Sequence, residues 1–169
     1  MRPILSLIVS LSLAAVAASA AAADSGDAAA LGQRIAASRL MAAVISGNPA
    51  KVQRLAPAAK GLTIIDPLGF TPLIWASAQR SPRIVELLLA QGHSPNLASP
   101  NTGWTPLMMA AMYGNTEAVD LLLQAGANPA AKANDGSTAE SVARSKQNSR
   151  LADRLAAAAQ PKPARGATP

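Results

Sequence analysis

The sequence predicts an all-α fold, a solenoid of about four helix-turn-helix units joined by short β-turn or hairpin loops. Three observations predict it. One segment recurs 34 positions later, residues that cap helices recur at nearly the same interval, and the recurring segments are apolar at helical spacing. A helical pair of this size cannot bury its own apolar face, so neighbouring pairs must stack on one another.

The first helix of each central unit is predicted to begin at a Thr-Pro-Leu triplet. One copy is GFTPLIWA at 69–76 and the other is GWTPLMMA at 103–110, with a fainter GSTA at 136–139. Thr71 and Thr105 are placed to cap the first free N–H groups of a helix. The proline that follows each threonine lacks only an N–H that the first turn does not use. These triplets therefore mark helix starts.

The second helix of each unit is predicted to begin at a polar cap. These caps recur at intervals of 33, 34 and 33 positions and so extend the register to both ends, at Asn48, Ser81, Asn115 and Asn148. Each central second helix contains a Leu-Leu-Leu run, at 87–89 and 121–123, within an apolar face. Gly92 and Gly126 follow these helices and are suited to end them in the left-handed conformation.

A period of about 33 residues with this opening and closing resembles the ankyrin repeat. The resemblance covers residues 31–158, as units of about 31–65, 66–98, 99–132 and 133–158. The outer two units match less well, which suits the ends of a solenoid. In this family a His usually follows Thr-Pro-Leu and ties adjacent loops. Ile74 and Met108 stand there instead, so we expect fewer polar ties between units.

One turn departs from the repeat. Arg80 stands where Gly114 stands in the next unit. A residue with a Cβ is disfavoured in the left-handed region that such a turn needs. We expect either strain at this turn or a turn of different shape.

The two ends of the chain are predicted to lie outside the repeats. Residues 1–23 resemble a secretory signal, with Arg2, an apolar stretch at 4–16 and small residues at 18–23, and 24–30 would form a short leader. Residues 159–169 are rich in proline and are expected to be disordered. We expect cleavage and a periplasmic location, as for small exported bacterial ankyrin proteins. The alternative is an uncleaved anchor, since 3–23 is long enough to span a bilayer.

Composition argues against an enzyme. The chain has no Cys and one His, so the usual nucleophile–base pairs and zinc clusters cannot be assembled. The carboxylates are scattered, and no catalytic residue, metal or cofactor is predicted. The net charge is +6, with seven basic and three acidic residues from Lys132 onward. Nucleic acid is disfavoured as a partner, because no stacking aromatics accompany these charges and export would remove the target.

The family resemblance implies where a partner would bind. In ankyrin-like proteins the turn tips and first helices line a concave groove. By position, this implies a protein-binding surface formed by Leu68, Phe70, Gln79, Trp104, Met112, Tyr113 and Lys146. Alternatively, Phe70 and Trp104 stack on one another and only brace adjacent turns. Trp75 and Met109 are expected to pack.

The predicted function is a non-catalytic, monomeric protein-interaction scaffold in the periplasm or cell envelope. The alternatives are a membrane-anchored envelope protein, in which the retained signal segment would contact the membrane, and a secreted effector.

Overall fold

A computed structural model describes residues 28–59 and 63–160. Within these ranges the fold is all-α and has no strand, which confirms the predicted class. In this part of the chain, eight α-helices form four consecutive pairs. They are α1 (Ala28–Ile45), α2 (Pro49–Leu55), α3 (Pro72–Ala78), α4 (Pro82–Ala90), α5 (Pro106–Tyr113), α6 (Thr116–Gln124), α7 (Ala139–Ser145) and α8 (Ser149–Ala159), with a 3₁₀ turn (Ala56–Ala59) after α2.

The helices extend slightly further than the predicted repeat domain. Helix α1 begins at Ala28, inside the predicted leader, and α8 ends at Ala159, the first residue of the predicted tail. Both extensions consist of alanine, the strongest helix former. The predicted signal at 1–23, the leader residues 24–27 and the tail residues 161–169 lie outside the described residues.

The pairs stack in chain order to form two layers. The inner helices α1, α3, α5 and α7 pack successively on one another, and the outer helices α2, α4 and α6 do the same. A column of small residues lies where inner helices meet, each at most 3% exposed: Ala43, Ala76, Ala110 and Ala143. A second column in the outer layer is 0% exposed: Val52, Val85, Val119 and Ala152. Each unit therefore completes its core only with its neighbours.

The inner helices are capped as the sequence predicts. Thr71 Oγ1 accepts a hydrogen bond from Ile74 N at 3.2 Å, and Thr105 Oγ1 accepts one from Met108 N at 3.3 Å. In the last unit, Thr138 Oγ1 accepts from the Ser141 N–H while Ser141 Oγ accepts from the Thr138 N–H, which is a capping box. These caps fix where each inner helix starts and hold the loop before it.

The side-chain caps predicted for the outer helices are present only in the first and last units of the solenoid. Asn48 Oδ1 accepts from Lys51 N at 3.0 Å, and Asn148 Oδ1 accepts from Leu151 N at 3.2 Å. Ser81 makes no side-chain capping bond, and neither does Asn115. The Asn115 amide instead donates across to the preceding unit, so the cap predicted there from local spacing is wrong.

Polar ties are present at all three unit junctions, although the family histidine is absent. Gln79 Nε2 donates to Val44 O at 2.6 Å, joining the first and second units. Asn115 Nδ2 donates to Ser77 O at 3.0 Å and also to Gln79 O, joining the second and third. Asn134 Nδ2 donates to Asn101 O at 3.1 Å, joining the third and fourth. Amide side chains therefore supply the ties that we expected to be fewer.

The turn at Arg80 has a different backbone conformation from the equivalent turns, and this conformation avoids strain. Gly47, Gly114 and Gln147 stand at the equivalent places and have φ of 65°, 66° and 60°. Arg80 is not among the positive-φ residues of the described ranges. Helix α3 ends at Ala78, and Gln79 is extended with φ −95° and ψ 149°. This conformation spares Arg80 the left-handed region and lets the Gln79 side chain donate to the first unit.

The loops before α3, α5 and α7 each form a hairpin-like finger. The three fingers are 63–70, 97–104 and 130–137, and each is closed by a backbone bond such as Ser99 N to Trp104 O at 2.8 Å. Successive fingers touch, because Asn134 N donates to Thr102 O at 3.0 Å. A Cβ on Gly103 would lie 2.6 Å from Asn134 Oδ1 and 2.8 Å from Asn134 N. Glycine is therefore required there for two reasons, its φ of 72° and this close approach.

Replacing Gly103 with Ala should destabilise the fold more than the same change at Gly126. Both positions have positive φ, 72° and 86°, so each alanine adds about 1 kcal/mol of backbone strain. The Cβ at Gly126 meets open space, whereas that at Gly103 collides with Asn134. We expect G103A to lower the free energy of unfolding by about 3 kcal/mol and G126A by about 1 kcal/mol. Urea unfolding followed by circular dichroism measures both. Equal losses would show that contact between fingers does not hold the stack.

Candidate partner-binding surface

Helices α3 and α5 expose apolar side chains along one line each. On α3, Trp75 and Ala78 are three residues apart and half-buried. On α5, Met109, Met112 and Tyr113 occupy the corresponding places and become more exposed toward the C-terminus of the helix. Residues three and four apart share one face of a helix, so each of these two helices presents one such line. The lines of α3 and α5 lie side by side because these helices pack directly.

This surface contains every aromatic residue of the protein. The chain has one Phe, two Trp and one Tyr, and all four lie on α3, α5 or their fingers. None belongs to the fully buried core, which is built from aliphatic residues and methionine. With Met112 they form what we call the aromatic band: Phe70, Trp75, Trp104, Met112 and Tyr113. Trp75, Trp104 and Met112 pack partly against the core and are half-buried, so part of each side chain stays accessible to a partner.

Asp66 organises one end of the band. Its Oδ1 accepts from Leu68 N at 3.0 Å and Phe70 N at 2.7 Å, and its Oδ2 accepts from the Trp75 indole N–H at 2.7 Å. The Phe70 ring meets Trp75 edge to face, with centroids 5.6 Å apart and planes at 88°. Two aromatic side chains are thus held in fixed orientations before any partner arrives. The alternative in which Phe70 stacks on Trp104 is wrong, because Trp75 is its ring partner.

The predicted site residues fall into two groups, at opposite ends of the inner helices. Leu68, Phe70 and Trp104 lie in the fingers, where Leu68 is 45% exposed and the other two are half-buried. Tyr113 and Lys146 lie at the C-terminal ends of α5 and α7, and Tyr113 is 53% exposed. The eight residues of α5 separate the groups by about 12 Å.

Gln79 was predicted to face a partner, but its amide is already used. It donates to Val44 O, and the residue is half-buried. Trp75, interpreted as packing, does pack against the core, yet it is only half-buried, and its exposed part belongs to the band. The spacing of three residues to Ala78 is the sequence signal that could have identified it. Met109, interpreted in the same way, is only 7% exposed and packs as expected.

Titratable groups with shifted pKa values lie away from the band. Burial lowers the pKa of His93, which follows Gly92 after the C-terminal end of α4, so the neutral imidazole is favoured. Hydrogen bonds from Ser137 lower the pKa of Asp135 in the last finger. Within residues 28–59 and 63–160, no group of three or more His, Asp or Glu side chains is placed to hold a metal ion. No helix in the same part of the chain is long and apolar enough to cross a membrane.

Comparison with known proteins agrees with this architecture. A family model described as ankyrin repeats (3 copies) matches residues 40–133 and 78–163. No curated protein matches the sequence. The matched segments together extend over most of the four helical pairs and include the whole aromatic band. Ankyrin repeats typically mediate binding to another protein. The chain belongs to the ankyrin-repeat family.

Proposed function

We propose that this protein is a non-catalytic scaffold that binds another protein across the aromatic band of its second and third units. One observation carries the proposal. All four aromatic side chains of the chain lie on this surface, and none is part of the fully buried core. Aromatic residues are the commonest energetic centres of protein interfaces.

Part of the aromatic band is already rigid, which lowers the entropic cost of binding a partner. Ordering a flexible side chain on association costs about 0.5–1.5 kcal/mol. Phe70 and Trp75 avoid much of that cost, because Asp66 and their mutual contact already fix them. Leu68 extends the band at the finger end, Tyr113 forms its other end, and both residues are exposed. A partner segment that crosses from the fingers to the ends of the inner helices would contact both groups.

The polar groups around the band serve structure rather than catalysis. Asp66 accepts three hydrogen bonds, two from its own finger and one from the Trp75 indole, so its carboxylate holds the finger and the ring in place. His93, the only histidine of the sequence, lies on the outer layer. We therefore propose binding without chemical turnover by the protein as a monomer.

We further propose that the protein is exported and acts in the periplasm or cell envelope. The signal-like segment at 1–23 supports this, as does the absence of cysteine, which leaves no thiol to oxidise there. An uncleaved envelope anchor is the alternative for the same segment, and a secreted effector is a further one.

Replacing Trp104 and Tyr113 with Ala should weaken partner capture by about 2 kcal/mol, roughly 30-fold, if these residues are hot spots. The measurement is affinity capture from an envelope fraction, quantified by mass spectrometry. The matched control is Ile35→Ala with Leu31→Ala, one exposed and one half-buried residue on α1, outside the band and the fingers. Because Trp104 is half-buried, the single variant Tyr113→Ala serves as a second test that leaves packing intact. Equal capture by both double variants and the parent would contradict a partner site on the band.

Export predicts a shortened product. When the full chain is produced with its own N-terminus, the fractionated protein should be soluble and begin after Ala20 or Ala23. N-terminal sequencing gives the answer directly. A membrane-bound product that retains Met1 or Arg2 would replace this proposal with the anchored alternative.

A further inference from the structure

The two edges of the solenoid carry opposite charge. We call the windows 46–51, 79–84, 113–118 and 146–151, which join inner to outer helices, the turn edge. It carries one acidic residue, Glu117, and five basic ones, Lys51, Arg80, Arg83, Lys146 and Arg150, for a net charge of +4. The fingers carry Asp66, Lys132 and Asp135, for a net charge of −1. The basic excess is thus concentrated where the inner helices end.

Most of this positive charge has no ion-pair partner in the part of the chain that the structure describes. Arg83 pairs with Glu86 at 3.0 Å. Across the described ranges, the ion pairs include none formed by Arg80, Lys146, Lys51 or Arg150. Each of these four residues is exposed. Unpaired cations on one edge attract an anionic partner and steer its approach.

Arg80 is the most informative of these residues. Two of its three equivalents are glycine, and the third, Gln147, takes the left-handed conformation. With arginine, α3 ends early and Gln79 becomes extended. The result is a cation at the C-terminal end of α3, one unit before Tyr113. Lys146, the C-cap of α7, lies one unit after it.

We propose that the turn edge binds an acidic segment of the partner protein, with carboxylates on Arg80 and Lys146 and an apolar side chain on Tyr113. This inference rests on the proposed function and specifies the chemistry of the partner. Tyr113 belongs both to the turn edge and to the aromatic band, so these two surfaces are continuous. A protein segment can satisfy both, because it can combine carboxylates with an apolar side chain. A protein segment is favoured over a lipid surface because ankyrin repeats typically bind another protein, and because Tyr113 continues into the aromatic band along α5.

The geometry sets the spacing of the acidic groups. Adjacent packed helices lie about 8–10 Å apart, so Arg80 and Lys146, two units apart, are separated by about 20 Å. An extended chain advances about 3.3 Å per residue. A partner segment with two acidic positions about six residues apart, and an apolar residue midway between them, would match the spacing of Arg80, Tyr113 and Lys146.

The test uses a labelled 12-residue peptide with two Glu pairs about six positions apart and a Phe midway, a spacing set by the strand rise. Binding to the full chain is followed by fluorescence anisotropy. We expect Arg80→Glu with Lys146→Glu to weaken binding about tenfold or more, and added salt to weaken the parent complex. The matched control, Arg34→Glu with Arg54→Glu, changes net charge equally at exposed sites off the turn edge and should bind almost as the parent does. Circular dichroism verifies that all variants fold.

Three results would overturn the inference. The first is equal weakening by both pairs of changes, which would indicate unspecific attraction to net charge. The second is equally tight binding of a peptide with Lys in place of Glu. The third is failure of the acidic peptide to bind while vesicles containing phosphatidylglycerol bind through Arg80 and Lys146. Capture of the natural partner separates the two proposals: if it requires Trp104 but not Arg80 and Lys146, the scaffold function stands and this inference fails.

Discussion

Contact between successive inner helices is the constraint on which the rest of the structure depends. Helices α2 to α7 have only seven to nine residues each, and isolated helices shorter than about 12 residues are marginal in water. Their stability must therefore come from burial between units. The alanine column Ala43, Ala76, Ala110 and Ala143 allows the inner helices to approach closely, and the outer column headed by Val52 fills the second layer. Removing one unit would expose the apolar faces of its neighbours.

The same stacking determines what the surface can do. Because aliphatic residues and methionine fill the fully buried core, the four aromatic side chains keep part of their surface accessible on the inner face. Inter-unit amides such as Gln79 and Asn115 lie beside them and hold neighbouring helices in register. The aromatic band and the turn edge are therefore both held by the same stack of inner helices. A partner that meets this surface finds its contacts already spaced by the repeat, which reduces the entropy lost on binding.

Features that repeat along the chain were predictable, because each copy supports the others. Thr71 and Thr105 cap their helices as predicted, and Gly103 and Gly126 take positive φ. Features that depend on contact between units were not. Gln79 is turned toward Val44 O, an acceptor 35 residues earlier, and local spacing carries no sign of it. Asn115 has the sequence of a cap but donates to the preceding unit instead. Likewise, the ring partner of Phe70 depends on how Asp66 closes the finger.

The claim that no unit is stable alone is tested most directly by single-tryptophan unfolding. Trp75 reports on the second unit and Trp104 on the third, so Trp104→Phe and Trp75→Phe each leave one local probe. In each variant, urea unfolding is followed by tryptophan fluorescence and by far-UV circular dichroism. A stack that is stable only as a whole predicts coincident transitions by both probes in both variants. Separate midpoints, with one tryptophan exposed while helical signal from the other units persists, would contradict it.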